Sequence, residues 1–477
     1  MTSLAAHHTV DRTPQNASAG RLPKVLIVLS NRLYVRNFFD SGALSEVAKR
    51  YACSVALAED VDAALLKSAF PIAGYVATDR RRLNTSTFRM YLTMWAHRRR
   101  SISYRLKFNI DVGFRKLRYV YQALALPGFL QLALFAIRKR LGPNVSVDQL
   151  LNRVRPDLVI CPSPGTDLIG QDVLDSCRRM NIRSFMLING WDNLSTKGTM
   201  DVHPDLLGVW GNEAYDHAQR IQHIDPKRIR VLGVPHFDVY RAPVPQEKIN
   251  HIRALHAIPA GRKVIVFAGC SRDVAELALL DELERAITAG TLGGYHVIYR
   301  PHPWGHAASL AKDVAKRRYA HVSLDVQIGQ GHAAADAKGV IHHPQYFVPE
   351  LDYYPALIAS AHCVISPLST FLIEAGVMGK PALAIAFSMG KTEFPLEQIY
   401  QCEHFLYLRK TRAILTAHSP ERFIQDVQRL IALVNQPNIQ AQLRQDIDPI
   451  VSRTENPYAV RLADAVGEAL AAPRVHG

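Results

Sequence analysis

Two short segments of the sequence carry residue types that can hold a phosphorylated ligand. Arg300 to Pro303 reads RPHP, and Ser369, Thr370 and Glu374 follow an apolar run within residues 361 to 387. Two prolines present the intervening histidine rigidly at the end of a strand. Free N–H groups at a helix start favour an anion by about 0.3–1 kcal/mol, and two hydroxyls lie beside them. The carboxylate of Glu374, one turn further on, could accept hydrogen bonds from the sugar hydroxyls of a nucleotide. The alternative is that Ser369, Thr370 and Glu374 only cap and support the helix.

The elements around this site form a strand, turn, helix and strand. His362 to Ser366 is a short β-branched run, and the apolar spacing of Phe371 to Val377 suits a buried helix. Gly379 marks the end of that helix, and a second strand is expected over Pro381 to Phe387.

The start of the chain predicts another strand whose following loop faces a ligand. Lys24 to Ser30 is a continuous apolar run typical of a strand buried on both faces of a parallel sheet. Asn31 to Asp40 is expected to be a loop at the carboxyl edge of that sheet, where α/β proteins bind ligands. Arg36 and Asn37 are therefore candidate cleft residues, or else ordinary loop residues.

A polar turn follows a later strand of the same half. Residues 189 to 198 read NGWDNLSTKG, and Asp192 is the one carboxylate in this turn. It is either a general base or the cap of a short helical turn.

The chain divides into two α/β halves. We expect a disordered tail over 1–20, a first domain over 21–239, a linker over 240–250 containing two prolines, a second domain over 251–440, and terminal helices over 441–477 that could pack back on the first domain. Lys263 to Gly269 begins the second half, and Ser271 and Arg272 lie in the loop after this strand.

Composition indicates a globular protein of a reducing compartment. Apolar residues make up 48% of the chain, and its six cysteines show no C-x-x-C spacing, which argues against a disulfide framework or a zinc site. Residues 1 to 20 lack the apolar segment of a signal peptide.

The net charge of +15 is concentrated in one segment. Residues 80 to 140 hold 15 lysines and arginines and one acidic residue, interleaved with aromatics. The apolar run Ala123 to Ile137 is shorter than the roughly 20 residues needed to cross a bilayer, so we expect an interfacial helix or helical hairpin on an anionic membrane surface. The alternative is a core helix with a solvated basic face. No helix-turn-helix, zinc-finger or RNP signature is present, so nucleic acid is not an expected partner.

Three segments resemble the GT-B glycosyltransferase superfamily. Residues 208 to 238 resemble the end of the acceptor domain in surface-polysaccharide transferases, CDP-glycerol glycerophosphotransferases and UDP-N-acetylglucosamine 2-epimerases. The RPHP segment and residues 366 to 381 are similar to the donor motifs of bacterial sialyltransferases and Kdo transferases, which use CMP-sugars. The resemblance covers roughly residues 155 to 390 and implies two Rossmann-like domains facing across a cleft, with the basic helical segment inserted in the first.

The resemblance also implies site roles. His302 would contact the nucleotide phosphate or ribose, Ser369 and Thr370 would hold phosphate, and Glu374 would bind ribose. The acidic motif that carries the base in those sialyltransferases is not evident here, so Asp192 is assigned as base, with Asp40 and Asp167 in reserve. The remaining candidates are Ser271, Arg272 and Arg300 on the donor side and Arg36, Asn37, Trp191 and Asn193 on the acceptor side.

The implied activity is metal-independent transfer of a sugar, a Kdo or nonulosonate from a CMP-sugar being favoured, to a cell-surface glycan or lipid-linked acceptor at the cytoplasmic face of a membrane. A helix start, hydroxyls and a histidine cation would stabilise the leaving nucleotide without metal or cofactor. The alternatives are a UDP-sugar transferase, an NDP-sugar 2-epimerase, a CDP-polyol phosphotransferase, and a non-catalytic scaffold that binds a membrane or polyanion.

Overall fold

Two parallel sheets organise the chain in the computed structural model, which describes residues 21–66, 69–77, 79–110, 112–270, 275–303, 307–337, 349–389 and 395–472. Within these ranges the first sheet has seven strands and the second has six. The strands of the first lobe are β1 (Lys24–Leu29), β2 (Ala52–Ala58), β3 (Ile72–Val76), β4 (Leu158–Ser163), β5 (Arg183–Ile188), β6 (Leu206–Val209) and β7 (Ile229–Val231). Those of the second lobe are β8 (Lys263–Ala268), β9 (Tyr295–Arg300), β10 (Val322–Leu324), β11 (Cys363–Pro367), β12 (Ala382–Ile385) and β13 (Ile414–Ala417).

Both sheets are doubly wound. The strand orders are β3-β2-β1-β4-β5-β6-β7 and β10-β9-β8-β11-β12-β13. Successive strands are first added on one side of the sheet and then on the other, and this reversal point lies between β1 and β4 in the first sheet and between β8 and β11 in the second. In the described part of the chain, all neighbouring strands of both sheets are parallel. Open sheets of this kind bind ligands at the carboxyl ends of the strands beside the reversal point.

Helices cover both sheets. Those of the first lobe are α1 (Arg32–Val35), α2 (Ser45–Arg50), α3 (Arg80–Ala96), α4 (Ile102–Ile110), α5 (Val112–Leu124), α6 (Phe129–Leu141), α7 (Val145–Val154), α8 (Leu168–Arg179), α9 (Asn193–Thr196) and α10 (Asn212–Arg220). They are followed by α11 (Gln246–Leu255), α12 (Glu276–Thr288), α13 (Ala307–Arg317), α14 (Val326–Ala337), α15 (Tyr353–Ser360), α16 (Phe371–Val377), α17 (Leu396–Ile399), α18 (Phe423–Val434), α19 (Ile439–Asp446) and α20 (Tyr458–Ala471). Short 3₁₀ segments lie at Ala63–Leu66, Pro226–Arg228, Pro235–Tyr240, Glu403–Phe405, Leu408–Lys410 and Pro420–Arg422.

An apolar core crosses from one lobe to the other. It joins Trp210 and Phe237 of the first lobe to Leu357, Phe371 and Phe405 of the second. The final helix, α20, belongs by sequence to the end of the chain but packs in the core of the first lobe around β1. The two lobes are therefore held by shared apolar burial, in addition to the linker.

The basic segment forms four helices, α3 to α6, between β3 and α7. Its apolar run is divided between α5 and α6, because Pro127 and Gly128 interrupt the helix; the glycine takes a φ of +86°. Among the described residues, the helices individually fall short of the length and hydropathy of a membrane span. Taken together, the helical segments Lys116–Leu124 and Phe129–Leu141 reach the length and hydropathy of a membrane span, but they are bent by 109° relative to each other.

Several local predictions differ from the structure. The loop expected over Asn31 to Asp40 is wrong: α1 and a π-helical turn over Arg36–Asp40 occupy it, since Tyr34, Val35 and Phe38 are buried and Asn31 caps the first turn. The linker segment contains the start of α11 at Gln246. The sequence interpretation also missed β3, an edge strand that includes Gly74 and exposes Tyr75.

Candidate functional site

The reversal point of the second sheet brings the predicted phosphate loop to the end of β8. The Ser366 hydroxyl donates to the carbonyl of Ala268 at 2.7 Å, joining the ends of β8 and β11. Ser369 lies next to it, with the two hydroxyl oxygens 2.8 Å apart, and accepts from the Phe371 N–H at 3.3 Å. Thr370 is the residue before α16; it is exposed, and its hydroxyl makes no capping hydrogen bond. Of the two predicted caps, only Ser369 bonds to the helix start.

Glu374, one turn inside α16, is bonded across the two lobes. The Tyr240 hydroxyl, at the end of the first lobe's 3₁₀ segment Pro235–Tyr240, donates to Glu374 Oε2 at 2.5 Å. Burial raises the pKa of the Glu374 carboxyl, and the Tyr240 hydrogen bond and the charges of Arg300 and Arg36 offset part of that rise. The carboxylate predicted to bind ribose therefore already has a partner from the opposite lobe.

Arg300 lies at the end of β9, beside this carboxylate. Its side chain is buried, and its Nε and Nη2 donate to the Tyr354 hydroxyl at 3.2 and 2.5 Å. The guanidinium also lies 5.0 Å from the ring centre of Tyr354 and 5.5 Å from that of Phe371. Burial by itself would lower the pKa of Arg300, but Tyr354, Glu374 and Asp325 raise it overall, so the cation is retained.

Arg36 extends from the first lobe towards the same group. Its Nη1 donates to the carbonyl of Pro349 in the second lobe at 3.4 Å, and its charge lowers the pKa of both Glu374 and Tyr240. Neighbouring Asn37 is buried; it accepts from Arg36 Nε at 3.2 Å and donates to Asn189 at 3.2 Å. We name the five residues Arg36, Tyr240, Arg300, Tyr354 and Glu374 the cleft cluster. It combines an acceptor-side candidate with two donor-side candidates.

His302 follows β9 by two residues. Burial, followed by the charges of Arg300 and His332, lowers its pKa to about 3. At neutral pH the imidazole is therefore uncharged without a ligand, and the histidine cation expected against a leaving nucleotide stays a prediction. A neutral imidazole can still donate one hydrogen bond to a phosphate.

His236 was missed by the sequence interpretation. It lies in the 3₁₀ segment Pro235–Tyr240, with its ring centre 4.7 Å from that of Phe237 and 6.2 Å from that of Trp210. Its Nδ1 is buried without a hydrogen-bond partner, and burial followed by the charge of Arg36 lowers its pKa well below the usual value. In the sequence, the only indication that His236 is held in a fixed position is the preceding Pro235.

Asp192 belongs to a different part of the lobe contact. It precedes α9, where its Oδ2 accepts from the Thr196 hydroxyl at 2.9 Å. Burial would raise its pKa, but Lys197, His404 and that hydroxyl outweigh burial and lower it, so the carboxylate is ionised at neutral pH. Asp192 occupies the cap position of α9, but its side chain makes no capping hydrogen bond to the N–H groups of that helix, and its catalytic role stays a prediction.

The neighbours of Asp192 are packed against the second lobe. Trp191 is buried, with its ring centre 5.0 Å from that of His404 and 5.1 Å from that of Phe405. Asn193 is buried as well, and its Oδ1 lacks a hydrogen-bond partner. Trp191 therefore lies in the contact between the lobes, and Asn193 is buried two residues further along the chain.

The reserve carboxylates are differently placed. Asp167 caps α8, accepting from Gly170 N at 3.0 Å and from the Ser163 hydroxyl, and burial raises its pKa. Asp40 ends the π-helical turn and is exposed. Ser271 and Arg272 lie outside the described residues.

Metal independence stays a prediction. Among the described residues there is no group of three or more His, Cys, Asp or Glu side chains that could hold a metal ion. The expectation that the sequence contains no D-x-D pattern is wrong, because Asp60-Val61-Asp62 and Asp446-Ile447-Asp448 both match it.

Comparison with solved structures identifies the fold. Staphylococcus aureus MnaA, solved with UDP, is similar at a TM-score of 0.55 with 9% identity over 94% of this chain and 97% of that one. A Listeria monocytogenes protein assigned as a UDP-N-acetylglucosamine 2-epimerase has a TM-score of 0.54 and 10% identity over 95% and 97% of the two chains. A further UDP-N-acetylglucosamine 2-epimerase has a TM-score of 0.51 and 12% identity over 94% and 96%.

These likenesses confirm the GT-B architecture of two facing Rossmann-like lobes that the sequence resemblance implies. At this level of identity they establish the fold alone. No protein-family model matches the sequence, and no curated protein matches it.

Proposed function

We propose that the protein is a nucleotide-sugar-dependent glycosyltransferase that works without a metal. The observation that carries this proposal is the cleft cluster, in which cations from both lobes flank Glu374 at the reversal point of the second sheet. Arg36 and Arg300 provide positive charge where a nucleotide diphosphate or monophosphate would develop charge on leaving. In its favour, MnaA has the same fold and was solved with UDP.

Each residue of the site has a distinct part in this proposal. Ser369 and Thr370 bind a phosphate at the end of β11, and His302 donates a hydrogen bond as a neutral imidazole. Glu374 accepts from the ribose hydroxyls with lone pairs that the Tyr240 hydroxyl, which bonds to Oε2, does not use. Asp192, which is ionised, is the proposed base for the acceptor hydroxyl.

The proposed donor is a CMP-sugar such as a Kdo or nonulosonate, and the proposed acceptor is a cell-surface glycan or lipid-linked glycan of a bacterial envelope. The RPHP segment with the Ser-Thr pair favours cytidine. A UDP-sugar, which has a different nucleobase, or a CDP-polyol, which has a different leaving group, would use the same cleft.

An NDP-sugar 2-epimerase is the second candidate, because two of the three similar structures are described as this enzyme. An epimerase needs no membrane-bound acceptor, whereas the basic insertion provides this chain with a surface suited to one. Conversion of UDP-N-acetylglucosamine in the absence of any acceptor would favour the epimerase.

The insertion supports association with the cytoplasmic face of an anionic membrane. Tyr119 is 81% exposed, Phe129 59%, and Leu132 and Phe135 66% each, all on α5 and α6. Lysines and arginines flank them at residues 116, 118 and 138 to 140. Exposed apolar side chains surrounded by cations are typical of an interfacial helical hairpin. Glu403 of the second lobe caps α4, its Oε1 accepting from the Ile102 N–H at 2.5 Å, which fixes the insertion relative to the cleft.

The test is a thermal-shift panel with CMP, CDP, UMP, UDP and GDP on the full chain, followed by transfer assays with the donor of the preferred nucleotide. Ligand at 100 times its dissociation constant stabilises a real site by about 2.7 kcal/mol. A preference for cytidine nucleotides, lost in a double variant Arg36→Gln and Arg300→Gln, supports the proposal. No shift with any nucleotide would favour the non-catalytic scaffold.

A further inference from the structure

A second basic site, the hinge pocket, lies where two segments of the chain connect the lobes. An open pocket of about 480 Å³ is lined by Arg241, Arg444, Gln445, Asp448 and Arg453. Arg241 follows the last 3₁₀ segment of the first lobe, and the other residues belong to the segment from α19 that returns the chain to the first lobe. The residues that line the pocket therefore come from both of the chain segments that connect the lobes.

The pocket carries more positive charge than the nearby carboxylates balance. Three guanidinium groups line it with the carboxylate of Asp448, and a second carboxylate, that of Asp238, pairs with Arg241 at 2.7 Å. Burial, followed by repulsion from Arg241 and Arg444, lowers the pKa of Arg453. Nearby Arg461, which lies 3.1 Å from the Cβ position of Gly233, has two buried guanidinium nitrogens, Nε and Nη1, without a hydrogen-bond partner.

The arginines are held in place by backbone carbonyls, which leaves donors for a ligand. Arg241 Nη1 donates to the Thr454 carbonyl at 2.8 Å, and its Nε donates to Asp238 at 2.7 Å. Arg453 Nη1 donates to the Val377 carbonyl at 2.8 Å, and Arg444 Nη2 to the Met378 carbonyl at 3.3 Å. Each of the last two uses one of its five N–H groups in a recorded bond, so both retain donors suited to phosphate oxygens.

Those carbonyls end the helix that carries Glu374. Val377 is the last residue of α16 and Met378 follows it. Gly379, with a φ of +72°, permits this approach, because a Cβ there would lie 2.9 Å from Arg444 Nε. The pocket thus contacts the carboxyl end of the same short helix whose second turn lines the cleft.

We propose that this hinge pocket binds a diphosphate group, either as free pyrophosphate or as the diphosphate of a nucleotide. A diphosphate has enough acceptor oxygens to bond to both Arg444 and Arg453, and enough negative charge to balance the excess of Arg241, Arg444, Arg453 and Arg461 over Asp238 and Asp448, whereas a single monovalent anion would leave positive charge unbalanced. This site is distinct from the cleft cluster and does not depend on the proposed transferase activity.

The experiment measures pyrophosphate binding by calorimetry on the full chain, with the variants Arg444→Gln, Arg36→Gln and Arg422→Gln. Arg444 is exposed, so its substitution should leave the fold intact, and Arg422 is an exposed arginine on the second lobe that serves as the matched control. We expect the dissociation constant to rise about tenfold in Arg444→Gln, the loss typical of one charged hydrogen bond. It should stay unchanged in Arg422→Gln and Arg36→Gln.

Two outcomes would overturn the proposal: an unchanged dissociation constant in Arg444→Gln, or loss of all pyrophosphate binding in Arg36→Gln. Repeating the titration with CDP and UDP in the Arg36→Gln background separates the two ligand sources. Nucleotide binding that still depends on Arg444 indicates a nucleotide diphosphate, whereas binding of pyrophosphate alone indicates the free ion. Failure of the transferase assay would not affect any of these results.

Discussion

Tyr240 and Glu374 form a hydrogen bond of 2.5 Å that joins the two lobes beside Arg300. The tyrosine ends the last turn before the linker, and the glutamate lies on the helix after the reversal point of the second sheet. Tyr240 is buried and Glu374 is half-buried, and their bond links the position of one lobe directly to the other. It also uses one oxygen of the carboxylate that the proposed ribose site requires.

Replacing Tyr240 with phenylalanine should lower the free energy of unfolding by about 1.5–3 kcal/mol, the range for a hydrogen bond to a charged group. The reason is that Glu374 would lose its donor while remaining partly buried. Denaturant unfolding of the full chain measures the change. Tyr119→Phe, whose ring is 81% exposed, is the control and should be neutral. Equal stability of Tyr240→Phe and wild type would show that the bond does not stabilise the lobe contact.

Glu213 should make stability fall as the pH rises. This carboxyl is 2% exposed, its Oε1 has no hydrogen-bond partner, and burial raises its pKa to about 9 from an ordinary value of 4.5. Between these two pKa values the folded state therefore keeps a proton that the unfolded state has released. The free energy of unfolding should fall by up to about 1.4 kcal/mol for each pH unit in that window.

Glu213→Gln removes this titration, and the comparison isolates it from the histidines. Measured between pH 5 and 9, the variant should gain stability relative to the wild type as the pH rises. The buried His217, whose pKa burial lowers to about 3, acts in the opposite sense below pH 6.5 and is common to both proteins. Parallel pH profiles for the two proteins would contradict the assignment.

The architecture could be predicted from the sequence because it rests on local patterns. Continuous apolar runs such as Lys24–Leu29 and Cys363–Pro367 form strands buried on both faces, and the glycine stop at Gly379 ends α16 as expected. The candidates His302 and Ser369 follow the carboxyl ends of β9 and β11, respectively. These two strands lie on either side of β8, so both residues are at the same edge of one sheet.

The partners of these residues could not be predicted, because they come from distant parts of the chain. Tyr240 lies 134 residues from Glu374, and Arg36 lies 313 residues from its carbonyl partner Pro349. No local spacing indicates such contacts. Burial likewise lowers the pKa of His302 to about 3, and burial depends on the packing of the whole lobe.

His302 should act as a neutral hydrogen-bond donor in donor binding. We therefore expect His302→Gln to retain donor affinity within about threefold, because an amide replaces the lost N–H, whereas His302→Ala should weaken it about tenfold through loss of a bond to a charged group. Calorimetry with the preferred nucleotide measures both constants, and circular dichroism controls for folding. Equal losses in the two variants would indicate that the positive charge of an imidazolium is needed.

The exposed apolar face of α5 and α6 should bind anionic vesicles. We expect Leu132→Glu with Phe135→Glu to abolish sedimentation with vesicles containing phosphatidylserine, because two charges would replace side chains that insert between headgroups. Neutralising Arg138, Lys139 and Arg140 should weaken binding by about 1 kcal/mol for each cation. Leu255→Glu, at a leucine of the second lobe that is 40% exposed, is the matched control and should bind as the wild type does. Binding that survives both the apolar and the basic substitutions would exclude this face as the membrane contact and favour the solvated-face alternative.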